Sequence, residues 1–123
     1  MDKSERLLIV DDNEMNRDML SRRLQRKGFE CIVAEDGVDA VEALEREPSI
    51  DLVLLDVMMP RMSGLEVVQW MRRSEKWKET PILMVSARVQ STDKDKAIDA
   101  GANGYITKPI DFKAALVTIR SYL

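Results

Sequence analysis

The sequence predicts an α/β domain of the doubly wound type, and two observations lead there. Short apolar runs recur along the chain with helically spaced segments between them, so the alternation is β-α five times over. The runs are apolar throughout, whereas a strand with one wet face would alternate with polar residues. Strands covered on both faces suit a parallel sheet, joined by right-handed crossovers through the helices. The expected architecture is a single (βα)5 domain over residues 1–123, without repeats or a linker.

The strand runs are Leu7-Leu8-Ile9-Val10, Cys31-Ile32-Val33-Ala34, Leu52-Val53-Leu54-Leu55 and Ile82-Leu83-Met84-Val85, with a weaker one at Gly104-Tyr105-Ile106-Thr107. Each has the length of a buried strand. The first helix carries Met15, Met19, Leu20 and Leu24 along one face, starts at Asn13-Glu14, and ends with Arg26-Lys27 before Gly28. Helices also fit 37–47, 64–74 and 93–100, the last closed by Gly101. The final helix is the clearest. After the N-cap candidate Asp111, the residues Phe112, Ala115, Leu116, Ile119 and Leu123 fall at i, i+3, i+4, i+7 and i+11.

Composition narrows the function. A chain that is 45% hydrophobic and 33% charged, with 5 Gly and 4 Pro, belongs with ordinary globular proteins. A net charge of −3, with basic residues dispersed except on the first helix, leaves no nucleic-acid footprint. No apolar run approaches the roughly 20 residues that span a bilayer, and Met1 to Arg6 lacks the apolar centre of a signal peptide. A cytoplasmic location is therefore expected, with no membrane partner. Cys31, the one cysteine, cannot form an internal disulfide and reads as a small core hydrophobe. Histidine is absent, which excludes histidine-based triads, histidine zinc ligands and a phosphohistidine on this chain. The chemistry must come from carboxylates, hydroxyls and lysine.

In open α/β sheets the ligand site lies beyond the carboxyl ends of the strands, near the point where strand order reverses. Strand one ends in Asp11-Asp12, strand three in Asp56, strand four in Ser86 and strand five in Thr107-Lys108. With a sheet order of 2-1-3-4-5, strands one and three are neighbours and Asp11, Asp12 and Asp56 converge. Three crowded carboxylates repel unless a cation holds them. An all-oxygen site without histidine or cysteine suits Mg²⁺. Taken singly, Asp11, Asp12 and Ser86 read as helix caps and Lys108 as a surface lysine. Asp56, which follows four apolar residues, is harder to explain as a solvated side chain.

The segments Val10-Asp11-Asp12-Asn13, Asp56-Val57-Met58-Met59-Pro60-Arg61-Met62-Ser63-Gly64, Ser86-Ala87 and Gly101 through Lys108-Pro109 occur in this order. Together they resemble the receiver domain of response regulators in two-component systems, over essentially the whole chain. The resemblance implies a flavodoxin-like sheet in the order 2-1-3-4-5. It also implies that Asp56 accepts a phosphoryl group from the phosphohistidine of a sensor histidine kinase or histidine phosphotransfer protein. Asp12, Asp56 and the backbone carbonyl of Met58 would ligate Mg²⁺, with Asp11 acting through a metal-bound water. Lys108 would pair with one phosphoryl oxygen and the Ser86 hydroxyl with another, while Tyr105 would be the switch aromatic. The Lys108-Pro109 bond is expected to be cis, and Met58 and Arg88 to flank the path of the hydrolytic water. Such a protein is not an enzyme in the conventional sense, since it catalyses its own phosphorylation and autodephosphorylation. Its output surface, formed by the fourth helix, fifth strand and fifth helix, would bind an output domain, a target protein or a second copy.

Two residue sets carry a plainer reading beside this one. The basic residues Arg17, Arg22, Arg23, Arg26 and Lys27 suit a helix carboxyl end as well as a kinase docking face. Tyr105 also fits a half-buried strand edge. Among rival functions, a phosphatase of the haloacid dehalogenase type places its second aspartate two residues after the nucleophile, where this chain has Met58. A degenerate receiver would lack one of Asp12, Asp56 or Lys108. A flavodoxin-type electron carrier would show a hydroxyl- and glycine-rich phosphate loop after strand one.

Overall fold

Among the described residues ten elements alternate strictly: β1 (Arg6–Val10), α1 (Glu14–Arg26), β2 (Glu30–Ala34), α2 (Gly37–Arg46), β3 (Leu52–Asp56), α3 (Gly64–Arg73), β4 (Ile82–Ser86), α4 (Ser91–Ala100), β5 (Gly104–Thr107) and α5 (Phe112–Ser121). This computed structural model describes residues 4–57, 61–86 and 91–123, with the backbone alone for 91–94. The strands form one parallel sheet in the order β2-β1-β3-β4-β5. The fold is the doubly wound, flavodoxin-like one expected from the alternation.

Successive strand residues face opposite sides, and the core divides accordingly. Leu8, Val10, Val53, Leu55, Ile82 and Met84 face one side, where Ala40 and Leu44 of α2, Val67, Val68 and Met71 of α3, and Ala97 of α4 cover them. Leu7, Ile9, Leu52, Leu54, Leu83 and Val85 face the other, against Leu24 of α1 and Ala115, Leu116 and Ile119 of α5. Burying each such side chain contributes about 1.5–3 kcal/mol. The central strands β1, β3 and β4 are therefore the anchored part of the sheet, and the site stands at their carboxyl ends.

Helix starts follow the residues that cap them. The side chains of Asn13, Asp36, Ser63 and Asp111 accept from the backbone N–H groups of Asn16, Asp39, Glu66 and Ala114. Ser63 and Glu66 complete a reciprocal capping box on α3.

Three expectations change. The run at β2 read as covered on both faces, but β2 is an edge strand and Val33 is 46% exposed. The outer place itself follows the expected sheet order, but the apolarity of a run does not say how fully the helices cover an edge strand. On α1, Leu24 is buried and Leu20 half-buried, yet Met15 is 74% and Met19 47% exposed, so much of the apolar face meets solvent. Leu123 lies beyond the end of α5 and is exposed. Cys31 is half-buried against the α1 and α5 side of the core, and burial pushes its thiol up to about 11. No helix among the described residues is long and apolar enough to cross a membrane.

Candidate functional site

The strand register brings the polar strand ends together. Val10 pairs with Leu55, so Asp11 and Asp56 follow at neighbouring positions of β1 and β3. Asp56 pairs with Val85 and Ser86 with Thr107, which aligns Asp56, Ser86 and Lys108 along the same edge. The Lys108 backbone N–H donates to the Ser86 carbonyl at 2.7 Å, extending the β4–β5 ladder past the strand end. The Lys108-Pro109 peptide is cis, as the resemblance implies.

Asp11 is buried and fixed on every side. Its N–H donates to the Ala34 carbonyl, its carbonyl accepts from Arg17 Nη1 at 2.8 Å, and its Oδ1 accepts from the Asn13 N–H at 2.8 Å. Asp12 is exposed, and Asp56 is buried. Carboxylate oxygens of Asp11, Asp12 and Asp56 all lie within 4.8 Å of one another. Lys108 Nζ stands 3.2 Å from Asp11 Oδ2 and 3.3 Å from Asp56 Oδ2. Partial burial lowers the pKa of Lys108, but Asp56 and Asp11 outweigh it and the net shift is upward, so the group stays an ammonium.

Three carboxylates against one ammonium leave these four side chains net negative. Carboxylate oxygens gathered this closely suit a small hard cation, which takes oxygen ligands. The donor set, all carboxylate oxygen, fits such a cation.

Close packing holds Asp56 from beneath. A Cβ on Gly64 would lie 2.3 Å from the Asp56 carbonyl oxygen, and the Gly64 N–H donates to the Val57 carbonyl at 3.2 Å. Only a residue without a side chain lets α3 begin so near the end of β3. Ser86 is buried at the end of β4. The Tyr105 ring packs against the core on the α2, α3 and α4 side, and its buried hydroxyl has no hydrogen-bond partner among the described residues. Met58 and Arg88 lie outside the described residues.

The sequence reading missed three features. Arg17 reaches back from α1 to the Asp11 carbonyl, a contact across six residues that its place in a basic cluster disguised. Arg61 grips Asp36 with two hydrogen bonds across 25 residues of sequence, and no local pattern signals such a pair. Beside Asp11 and Lys108 runs a groove of about 570 Å³, lined by Asn16, Met19, Leu20, Arg23, Ile110 and Phe112. Exposed Met19 marks it, but sequence alone placed that residue toward the core.

This sheet, with its acidic cluster and facing lysine at the strand ends, has counterparts among known proteins. A family model described as "Response regulator receiver domain" matches residues 7–120, and the chain belongs to that family. The polar-differentiation response regulator DivK of Brucella ovis is 35% identical over 117 residues, covering 95% of this chain and 94% of that protein. The chemotaxis protein CheY4 of Vibrio cholerae superposes with a TM-score of 0.93 at 33% identity, covering 98% of this chain and all of the other. The receiver domain of sensor histidine kinase PA1611 from Pseudomonas aeruginosa, solved with a magnesium ion coordinated in its active site cleft, matches at 25% identity with a TM-score of 0.89 and covers 98% of each chain. Phosphoryl-acceptor signalling is the general function of this family, and its members generally bind Mg²⁺ at an acidic pocket.

Proposed function

We propose that the protein is a phosphorylation-operated switch in which Asp56 accepts a phosphoryl group from a partner's phosphohistidine. The observation that carries this reading is the placement of Lys108 Nζ between Asp11 and Asp56, beside a cluster of three carboxylates. A carboxylate oxygen of Asp56 attacks phosphorus as the phosphorus–nitrogen bond breaks, giving an acyl phosphate. The departing imidazole keeps the electron pair of that bond and takes up a proton. Asp12, Asp56 and the Met58 carbonyl would hold Mg²⁺, with Asp11 acting through a bound water, and the ion would supply the positive charge that lets one anion approach another. Lys108 pairs with one phosphoryl oxygen and Ser86 donates its hydroxyl to a second. Water later attacks the phosphorus to return Asp56, so the protein catalyses only its own phosphorylation and autodephosphorylation.

The donor is a sensor histidine kinase or a histidine phosphotransfer protein. The groove beside α1 supports this, because apolar Met19, Leu20 and Phe112 line it together with Arg23, Asp11 and Lys108. Arg23 lies 5.6 Å from the centre of the Phe112 ring, which holds that cation beside the apolar lining. The signal leaves through the α4, β5 and α5 face to an output domain, a target protein or a second copy, in the cytoplasm.

A small acyl-phosphate donor with Mg²⁺ tests the reading. The wild type should gain one acid-stable, base-labile phosphoryl group, and Asp56→Asn none. Labelling that persists in Asp56→Asn and maps to a serine would sink it. Asp12→Ala should weaken Mg²⁺ binding more than Asp11→Ala, and equal affinity in wild type and Asp12→Ala contradicts the ligand assignment.

A further inference from the structure

Arg61, in the connection from β3 to α3, has φ 66°, a left-handed conformation that residues other than glycine seldom adopt. Its guanidinium explains what holds it. Nε donates to Asp36 Oδ2 at 2.6 Å and Nη2 to Asp36 Oδ1 at 3.0 Å, a two-pronged ion pair with fixed geometry. Asp36 is itself buried and anchored, since Oδ1 also accepts the Asp39 N–H at 2.8 Å as the N-cap of α2. The neighbouring residues press together as well. A Cβ on Gly37 would lie 2.2 Å from the Met62 carbonyl oxygen, so the backbone after Arg61 rests directly on the start of α2.

The same connection begins at Asp56 and ends at Gly64, which touches the Asp56 carbonyl from below. One end is thus fixed to the proposed acceptor and the middle to α2. We infer that Arg61 is a positioning residue: by gripping Asp36 it fixes the start of α3 against the Asp56 backbone, and with it the orientation of the Asp56 carboxylate offered to the metal. This inference rests on the proposed function. Arg61 is not among the residues proposed to hold the phosphoryl group or the metal, and its hydrogen bonds go to Asp36. Its side chain is 56% exposed, and an ion pair with an exposed partner adds little to stability, so its effect belongs in metal binding more than in melting temperature.

Three variants separate the roles. Arg61→Gly removes the grip while accepting the positive φ freely. Asp36→Asn keeps an N-cap acceptor but loses the charge. Arg61→Lys keeps the charge without the fork. Isothermal calorimetry with Mg²⁺ alone, the rate of labelling by acetyl phosphate at limiting Mg²⁺, and thermal melts are the measurements. Arg61→Gly and Asp36→Asn should each weaken Mg²⁺ binding about tenfold, as loss of groups that orient metal ligands generally does. Labelling should slow in step. The double variant should be no weaker than either single one, because both break the same link. Arg61→Lys should fall between wild type and Arg61→Gly.

Wild-type Mg²⁺ affinity in Arg61→Gly overturns the inference, as do single-variant effects that multiply in the double variant. So does a loss of affinity matched by a proportionate fall in melting temperature. A wild type labelled at Asp56 beside an unaltered Arg61→Gly removes this inference alone. A wild type that neither binds Mg²⁺ nor takes up phosphate removes the proposed function and this inference with it.

Discussion

The Lys108 ammonium stands 3.3 Å from Asp56 Oδ2 although 52 residues separate them in sequence. In this state the lysine acts as the counter-ion that lets Asp11 and Asp56 remain close together. Added metal and Lys108 therefore share the work of neutralising one cluster.

Lys108→Ala should expose that sharing. Without metal the variant should melt about 4 °C lower or more, the shift that ~1 kcal/mol produces in a chain of this size. Added Mg²⁺ should raise its melting temperature further than it raises that of wild type, because a cation bound only to the folded state stabilises by mass action. Equal Mg²⁺-induced shifts in the two proteins would show that Lys108 does not offset the carboxylates.

Gly64→Ala tests the contact beneath the proposed acceptor. The new methyl would meet the Asp56 carbonyl oxygen at 2.3 Å, so backbone must move. Overpacking of this kind costs about 1–3 kcal/mol. Denaturant unfolding should record that loss, and labelling by an acyl-phosphate donor should slow. Full stability together with wild-type labelling would contradict the close approach.

The buried Tyr105 hydroxyl reverses the usual effect of removing such a group. With no partner to lose among the described residues, Tyr105→Phe should leave stability unchanged or raise it by up to ~1 kcal/mol. A clear loss in Tyr105→Phe would show that the hydroxyl has a partner in solution. The proposed switch also involves Ser86. Ser86→Ala should still accept phosphate, yet lose most of the amide chemical-shift response to beryllofluoride across residues 93–109. Wild-type shifts there in Ser86→Ala would send the signal through Lys108 or the metal instead.

The Asp36 and Arg61 pair gives a pH dependence with a definite sign. Hydrogen bonds from Arg61 hold the Asp36 carboxyl below its usual range, outweighing the burial that would raise it. A depressed folded pKa means stability that is present above the unfolded value of about 3.9 and is lost as pH falls through the lower folded value. Asp36→Asn should therefore show a shallower decline in stability below pH ~4 than wild type. Parallel acid limbs in urea titrations of the two proteins would rule this out.

Much of this arrangement was legible because local signals and long-range ones agreed. The apolar runs fixed where the strands lie, and the end of each run named a polar residue that the sheet order then brought to one edge. Helix starts were readable from Asn13 and Asp111 because capping is a contact over three residues. Arg61 and Asp36 were not legible, since their contact depends on two separate connections meeting in space. Met19 misled for a related reason: helical spacing gives a face but not how far the sheet beneath extends to cover it. β2 took the outer place that the expected sheet order assigned it, but its apolar run did not show that Val33 would be exposed.

That placement of β2 bears on how the chain behaves when crowded. The sheet has open edges at β2 and β5, whose outer backbone groups can pair with another chain. Both strands are short, with five and four residues, and Glu30 begins the β2 edge with an exposed charge. Val33 offers intermolecular strand addition an apolar foothold on the β2 side. Aggregation of this protein under mild destabilisation should therefore start at β2, and a charge at position 33 should improve refolding yield without touching the carboxylate cluster.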